Sequence, residues 1–325
     1  MDSLTKNKKS YEEIVDLLNR TVCSKFEVKE VVELDNGHFN AVYKICLFNG
    51  TEYILKISPN DSINILRNEK NIICSEVLAI NLVKSTGFVP VPKIVFFSEE
   101  KKYIDSSFII MECLSGSNCQ GKILNYSNEE KEQIFFDLGN LAYSLHKNTS
   151  SHFGTVNKTI KCDSWYHAFK SLLNNVLYDI EDANIKICYD SSAILKLYNN
   201  SKIYFDSVEV PCLIHGDLWL GNVMVNKKKI SGIIDFERSI WGDPLMEFPF
   251  GLLSNNLNFI KGYGENNIDL TSDSAMIRRK FYNIYHYLTV KAENYYRGYN
   301  KKSTDYITDQ KICFEIGYLK KFLNQ

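Results

Sequence analysis

Apolar and polar residues alternate along three runs near the start of the chain, at 26–34, 39–47 and 51–57. A period of two residues is typical of β-strands. The separators, Asp35-Asn36-Gly37 and Phe48-Asn49-Gly50, are turn signals of the hairpin type. The pattern therefore predicts three antiparallel strands joined by short turns.

The following residues predict one helix and two more strands. Residues 65–85 have the amphipathic period of a helix, and Val89-Pro90-Val91-Pro92 ends it because proline disfavours the helical conformation before it. Residues 93–97 and 107–112 are strand-like. A short helix precedes the sheet, because Ser10-Tyr11-Glu12-Glu13 has the form of a capping box.

After residue 112 the pattern becomes mainly helical. A second capping box at Ser127-Asn128-Glu129-Glu130 predicts a helix, and further helices are predicted at 163–183, at 191–205 and beyond 244, with short strands at 211–214, 223–226 and 230–235. We therefore predict an α+β fold of two lobes. The small antiparallel-sheet lobe covers residues 1–112, and the larger, mostly helical lobe covers residues 113–325.

Composition excludes several classes of protein. The chain has 325 residues, of which 45% are hydrophobic and 24% charged, and its formal net charge is -1. These values argue against a disordered chain and against a dedicated nucleic-acid binder. The nine cysteines form no CxxC pair, which argues against a zinc site. Without a signal-like N-terminus or a long apolar stretch, we expect a cytoplasmic protein with no membrane partner.

Two segments carry side chains suited to chemistry on phosphates. Asp217 lies in a loop after a predicted strand, Asn222 ends that loop, and a second hairpin delivers Asp235 to the same edge. Two carboxylates and an amide offer oxygen ligands, which Mg²⁺ prefers together with phosphate oxygens. The sequence therefore predicts a magnesium site at these strand ends.

The pattern H-G-D-x-x-x-x-N at 215–222, with I-D-F-E at 234–237 and G-D-P at 242–244, resembles the aminoglycoside phosphotransferase and choline kinase family. That family has the two-lobed fold of the protein kinases. The resemblance implies that Asp217 takes the proton of the acceptor hydroxyl and that Asn222 and Asp235 bind Mg²⁺. It also implies structural support from His215, which holds the loop, and from Asp243, which bonds backbone amides of the loop.

The same resemblance implies that the small lobe binds ATP, or alternatively GTP. Lys56 matches the lysine that pairs with the α- and β-phosphates. Its carboxylate partner is Glu76 or Glu69, which are seven residues apart and so could share one helix face. We favour Glu76 from its distance to the proline pair, and we expect Glu69 to be a solvated surface charge.

Four further residues are implied to contact the nucleotide. Asn40 belongs to the turn where the family has its nucleotide-covering loop. At the hinge, the carbonyl of Glu112 and the amide of Leu114 would bond the base, with Met111 behind it.

The sequence does not identify the acceptor of the phosphoryl group. We expect a small-molecule kinase acting on a hydroxyl of an aminoglycoside-like or other antibiotic, with a role in resistance. The alternative is a metabolic kinase of the choline, ethanolamine, methylthioribose, homoserine or fructosamine type.

Two sequence features point to different acceptors. The run His-Gly-Asp-Leu-Trp is similar to fructosamine kinases, whereas Phe236-Glu237 after Asp235 is similar to the antibiotic kinases. Residues 246–325 hold eight acidic and eleven basic side chains, so their composition does not indicate an acidic binding site for a polycation.

A catalytically silent binding module with the same fold is the third reading. The presence of Lys56, Asp217, Asn222 and Asp235 argues against it, because silent relatives typically lack at least one of them.

Overall fold

The small lobe is a five-stranded antiparallel sheet with a helix on each face. The computed structural model describes residues 3–22, 27–35, 37–248, 253, 255–299 and 302–323. The strand order is β1-β2-β3-β5-β4. The strands are β1 (Val28–Glu33), β2 (Ala41–Leu47), β3 (Glu52–Ile57), β4 (Ile94–Ser98) and β5 (Phe108–Glu112). Asn36, in the first predicted turn, and Phe26, at the start of the first predicted strand, lie outside the described residues.

Strand alternation sends successive side chains of this sheet to two separate cores. Helix α1 (Tyr11–Thr21), which begins with the predicted capping box at Ser10, packs Ile14 and Leu17 against one face. Helix α2 (Ile72–Thr86) packs Ile73 and Val77 against the other face. Lys56 and Met111 therefore belong to strands that both helices hold in place.

Helix α2 begins later than the sequence predicts. Asn71 has a φ of 57°, in the left-handed region, and this conformation interrupts a helix of L-residues. Residues Arg67–Glu69 form a separate 3₁₀ turn before the break. Glu69 and Glu76 are consequently on different elements and do not share a helix face.

The large lobe is mainly helical. Its helices are α3 (Asn128–His146), α4 (Trp165–Asp182), α5 (Ser191–Asn200), α6 (Lys202–Asp206), α7 (Leu257–Tyr263), α8 (Asp273–Tyr296) and α9 (Lys302–Phe322). Aromatic side chains fill one of its cores, including Trp165, Phe169, Tyr198, Phe205 and Phe281, all of which are fully buried.

Two small sheets position the loops of the large lobe. One has the order β11-β10-β6 and the other β8-β7-β12-β9. Their strands are β6 (Ser117–Asn118), β7 (Phe153–Thr155), β8 (Lys161–Cys162), β9 (Cys212–Ile214), β10 (Val223–Asn226), β11 (Lys229–Ile233) and β12 (Ile240–Gly242). The predicted α+β architecture is confirmed. Strand β5 ends at Glu112, where the sequence places the boundary between lobes, and that division stays a prediction.

Within the described residues, no helix combines the length and the apolar character that a membrane crossing requires.

Candidate active site

A buried carboxylate holds the loop that follows β9. Glu247 is 0% exposed and accepts hydrogen bonds from the amides of His215, at 2.6 Å, and Gly216, at 3.0 Å. Gly216 has a φ of +79°, and a Cβ there would lie 2.4 Å from the carbonyl oxygen of Arg238. Only glycine therefore fits this turn, which fixes the backbone directly before Asp217.

The ring of His215 joins the two loops of the site. Its Nε2 donates to the carbonyl of Ile234 at 2.9 Å, and its Nδ1 accepts from the amide of Asp217 at 3.2 Å. Burial lowers the pKa of His215, consistent with a neutral ring that has one donor and one acceptor nitrogen. The ring thus fixes the backbone on either side of the gap between Asp217 and Asp235.

The contact predicted for Asp243 is wrong. Its carboxylate accepts from the amide of Leu245 at 3.1 Å, from Arg278 Nε at 2.7 Å and from the hydroxyl of Tyr282 at 2.6 Å. Asp243 therefore anchors the following 3₁₀ turn to helix α8, and Glu247 bonds the loop amides in its place. Proline at position 244 removes one amide that Asp243 could otherwise have accepted from.

Asp217 and Asn222 lie side by side in the loop. Asn222 Nδ2 donates to the carbonyl of Asp217 at 2.8 Å and to Asp217 Oδ2 at 3.1 Å. Burial raises the pKa of Asp217 to about 7, while the guanidinium of Arg238 acts in the opposite direction. A carboxylate with this pKa can accept a proton near neutral pH.

Lys56 bonds three carboxylates, and two of them, Asp235 and Glu237, belong to the large lobe. Its Nζ lies 2.7 Å from Glu76 Oε2, 2.5 Å from Asp235 Oδ1 and 2.7 Å from Glu237 Oε2. Asp235 has a φ of 70°, a left-handed conformation that costs about 1–2 kcal/mol in a non-glycine residue. The surrounding contacts hold this turn, and the turn aims the carboxylate at Lys56.

Electrostatics in this cluster follow from burial and from Lys56. Burial raises the pKa of Glu76 to about 7, against the pull of Lys56. Burial would also raise the pKa of Asp235, but the ammonium of Lys56 holds it below its ordinary value. The pKa of Lys56 lies well above its ordinary value: burial alone would lower it, and the three carboxylates outweigh that effect.

Glu69 has a different partner. It is 8% exposed and bonds Arg297, the C-cap residue directly after α8, at 2.7 Å, so the expectation that it is a solvated surface charge is wrong. Arg297 also bonds Glu293 at 3.1 Å, and Glu293 bonds Arg238. A chain of charges, buried at Glu69 and Arg297 and partly buried beyond them, therefore runs from the small lobe to Arg238. Arg238 is the residue that opposes the rise in the pKa of Asp217.

The remaining predicted contact residues lie at two places, Asn40 at a contact between the lobes and the others at the end of β5. Asn40 is 4% exposed, and its Nδ2 donates to Glu237 Oε2 at 2.6 Å. At the hinge, Met111 is buried beneath β4 and α2, and the amide of Glu112 donates to the carbonyl of Lys93 at 2.9 Å. In the described part of the chain, the amide of Leu114 has no hydrogen-bond partner, so it remains available as a donor.

Sequence reasoning missed Glu237, Arg238 and Glu247. Glu237 and Arg238 follow Asp235 in the same turn, and their position in that turn is a signal that could have identified them. No local signal marks Glu247, whose partners are about thirty residues earlier in the chain.

A cavity of about 290 Å³ opens beside these loops. The wall next to the loops of Asp217 and Asp235 is formed by Gly216, Glu237 and Arg238. The other walls come from the turn before α2, the β7–β8 hairpin, α4 and α8. Its volume lies just below the usual range of about 300–1,000 Å³ for small-molecule sites. The cavity therefore has room for a small ligand only.

Residues 30–260 match the model of the phosphotransferase enzyme family, APH. A curated relative, the chloroplastic protein-ribulosamine 3-kinase of Arabidopsis thaliana, is 25% identical over 225 residues, which cover 62% of this chain and 61% of the relative. The match thus spans about three fifths of the length of that relative.

Solved structures share the fold. A candidate fructosamine-3-kinase from Haemophilus somnus 129PT has a TM-score of 0.68 at 19% identity, with coverage of 94% of this chain and 97% of that chain. A thermostable mutant of aminoglycoside phosphotransferase APH(4)-Ia, in ternary complex with AMP-PNP and hygromycin B, has a TM-score of 0.62 at 13% identity, with coverage of 92% and 94%. The predicted family is confirmed: the chain belongs to the phosphotransferase enzyme family and has its two-lobed, protein-kinase-like fold.

Proposed function

We propose that this protein is a kinase that transfers the γ-phosphoryl group of ATP to a hydroxyl of a small, sugar-derived acceptor. The observation that carries the proposal is the direct contact of Lys56, in the small lobe, with both Glu76 and Asp235. The lysine–glutamate pair and the metal-binding aspartate are the parts that phosphoryl transfer in this fold requires. GTP stays open as an alternative donor.

Each residue then has one task. Lys56 binds the α- and β-phosphates, and the Leu114 amide and Glu112 carbonyl bond the base. Asp217 orients the acceptor hydroxyl and takes its proton as the new P–O bond forms and ADP leaves. Asn222 and Asp235 would hold Mg²⁺, which supplies neutralisation of phosphate charge when bound. The chemistry of the donor set fits Mg²⁺, because three carboxylates face a single ammonium group there.

The charges around the cavity favour an acceptor of low charge over a polycationic aminoglycoside. Among the described residues, every carboxylate that lines it already bonds a cation: Glu69 with Arg297, Asp179 with Arg67, Glu237 with Lys56, and Glu293 with Arg238 and Arg297. A buried ammonium group without an unpaired carboxylate is strongly disfavoured. Amide and hydroxyl side chains, which suit sugar hydroxyls, line part of the rest beside apolar side chains such as Ile160 and Met246. The amide and hydroxyl side chains include Asn68, Thr155, Thr159, Asn175 and Tyr285.

A ketosamine, which is a sugar with a single amine linkage, meets these requirements best. The match to a protein named as a ribulosamine 3-kinase supports this class, and a metabolic role is accordingly part of the proposal in place of antibiotic resistance. The eight described cysteines are free thiols, which supports a cytoplasmic location as a further part of the proposal.

The test is Mg²⁺-dependent release of ADP or GDP with a panel of acceptors. The panel holds fructosamines, ribulosamines, aminoglycosides, macrolides, choline, ethanolamine, methylthioribose and homoserine. Release stimulated by ketosamines supports the whole proposal. Stimulation by aminoglycosides alone would refute the acceptor class, and the absence of nucleotide binding and of any stimulated release would refute the kinase itself.

Activity should depend on pH through Asp217. Because burial raises its pKa to about 7, the free enzyme holds a protonated, inactive Asp217 at acid pH. We expect kcat/KM for the acceptor to rise about tenfold per pH unit below pH 7 and to level off above it. Arg238→Gln should shift the rising part of this pH profile to higher pH, because Arg238 lowers the pKa of Asp217.

The matched control is Arg67→Gln, which removes a cation of the same cavity that is paired with Asp179. Arg67→Gln should leave the pH profile of kcat/KM unchanged. If the profile of Arg238→Gln is unchanged as well, a group other than Asp217 controls the pH dependence.

A further inference from the structure

Three separate segments of the small lobe meet at Arg297, a residue of the large lobe that directly follows α8. Arg297 is 6% exposed, and its Nη2 donates to Glu69 Oε1 at 2.7 Å. The carbon of its guanidinium group lies 5.6 Å from the centre of the Phe39 ring, and its carbonyl accepts from the amide of Leu4 at 3.2 Å. One large-lobe residue therefore contacts the turn before α2, the turn between β1 and β2, and the segment before α1.

The turn between β1 and β2 lies beside the lysine that we assign to phosphate binding. Residues 37–40 lead directly into β2, where Val42 is the register partner of Lys56 on β3. Phe39, in this turn, is 4% exposed, and Lys56 is 7% exposed. Because a phosphate cannot reach a buried ammonium group, binding of a nucleotide at Lys56 requires this part of the small lobe to separate from the large lobe.

Residues 3–5 hold the backbone of the same turn. Thr5 is 1% exposed, and its Oγ1 donates to the carbonyl of Phe39 at 2.9 Å. Ser3 Oγ lies 2.8 Å from Thr5 Oγ1, and it donates there because the single hydroxyl proton of Thr5 is committed to Phe39. Since the amide of Leu4 bonds Arg297, these residues also tie the turn to the large lobe.

We propose that Thr5 and Arg297 are positioning residues for the nucleotide, which hold the turn at residues 37–40 against the large lobe and release it each time a nucleotide enters or leaves. Thr5 acts on the backbone of the turn, and Arg297 acts on the ring of Phe39. Both act through the turn and not by contact with the reacting atoms. This inference rests on the proposed function, because it takes Lys56 as the residue that binds phosphates.

The proposal has a kinetic signature that loss of a merely structural contact does not produce. A weaker contact makes opening easier in the free and in the nucleotide-bound protein alike, so both rate constants rise together. The Kd changes by less than about twofold, because the contact has no differential effect on the two states. Fluorescent mant-ADP with Mg²⁺, followed by stopped-flow mixing, measures the association and dissociation rate constants separately.

Thr5→Val keeps the shape of the side chain and removes its hydroxyl. We expect both rate constants for mant-ADP to rise about fivefold, as loss of one buried hydrogen bond predicts. Thr5→Ser keeps the hydroxyl and should restore the rates of the unaltered protein. Thr21→Val is the matched control, because Thr21 Oγ1 also donates to a carbonyl, that of Leu17 at 2.7 Å, at the far end of α1. It should leave both rate constants unchanged.

Arg297→Lys keeps the test decisive should Thr5→Val fail to fold. Lysine keeps a positive charge for Glu69 but lacks the planar group that lies over Phe39, so both rate constants should again rise. Unchanged rates in the variants that fold, or faster release with unchanged association, overturn the proposal and leave the kinase intact. Failure of the unaltered protein to bind mant-ADP with or without Mg²⁺ overturns both.

Discussion

Asp217→Asn is expected to lower kcat by at least about 100-fold while the protein folds normally. The amide keeps the size and the contact with Asn222, but it cannot take the proton of the acceptor hydroxyl. The KM for the nucleotide should change little, because Lys56 and the hinge bind it. Steady-state kinetics with a stimulating acceptor and thermal unfolding of the same preparations measure both effects.

Stability provides a second readout with a defined sign. The pKa of Asp217 is raised to about 7 in the folded protein, so the folded state holds a proton that the unfolded state has lost between pH 4 and pH 7. Ionised Asp217 therefore lowers the free energy of unfolding as pH rises through this window. Asp217→Asn should remove this loss and be at least as stable as the unaltered protein at pH 8.

Asp16→Asn, on the exposed face of α1, is the control and should affect neither quantity. Near-normal kcat in Asp217→Asn would contradict the assignment of Asp217 as the proton acceptor.

The motifs identified the parts of the site that depend on local spacing. Asp217 and Asn222 are five residues apart, and the loop that contains both is fixed by a strand on either side. The alternation of β3 likewise places Lys56 on the face of the sheet toward α2, where Glu76 lies. Patterns of this kind depend only on residues close together in the chain, so the sequence alone can predict them.

The choice between Glu76 and Glu69 shows where such patterns fail. Seven residues on one continuous helix would place both side chains on the same face. Asn71 breaks that helix, and the break turns Glu69 toward Arg297, which is 228 residues away in the chain. A single residue in the left-handed conformation thus separates the two carboxylates, and helical periodicity carries no sign of it.

Long-range ion pairs explain the rest of what sequence reasoning missed. Glu237 bonds Asn40 across 197 residues, and Arg238 bonds Glu293 across 55. The pair Arg238 and Glu293 depends on packing within the large lobe. Three other contacts connect the two lobes at the site itself: Lys56 with Asp235, Asn40 with Glu237, and Glu69 with Arg297. The ion pairs that join Glu69, Arg297, Glu293 and Arg238 therefore affect both the arrangement of the lobes and the charge around Asp217.

Glu247→Ala is expected to lower both stability and activity more than any other change outside the reacting groups. The carboxylate accepts from the amides of His215, which is buried, and Gly216, which is partly buried, and it lies 3.4 Å from Nε2 of the buried His146. Removing it leaves these two amides without partners, at a cost of about 3 kcal/mol. The loop before Asp217 then shifts, and a displacement of about 1 Å lowers kcat by about 100-fold.

Urea unfolding and kcat measured on the same variants separate this role from simple loss of folding. Glu247→Gln keeps one acceptor oxygen for two amides, so its free energy of unfolding and its kcat should fall between those of Glu247→Ala and the unaltered protein. Glu209→Ala, an exposed glutamate of the large lobe, is the control and should match the unaltered protein in both. If Glu247→Ala loses stability while kcat of the folded fraction is unchanged, Glu247 supports the lobe without positioning Asp217. If neither quantity changes, the loop is held by its own backbone conformation and by the ring of His215.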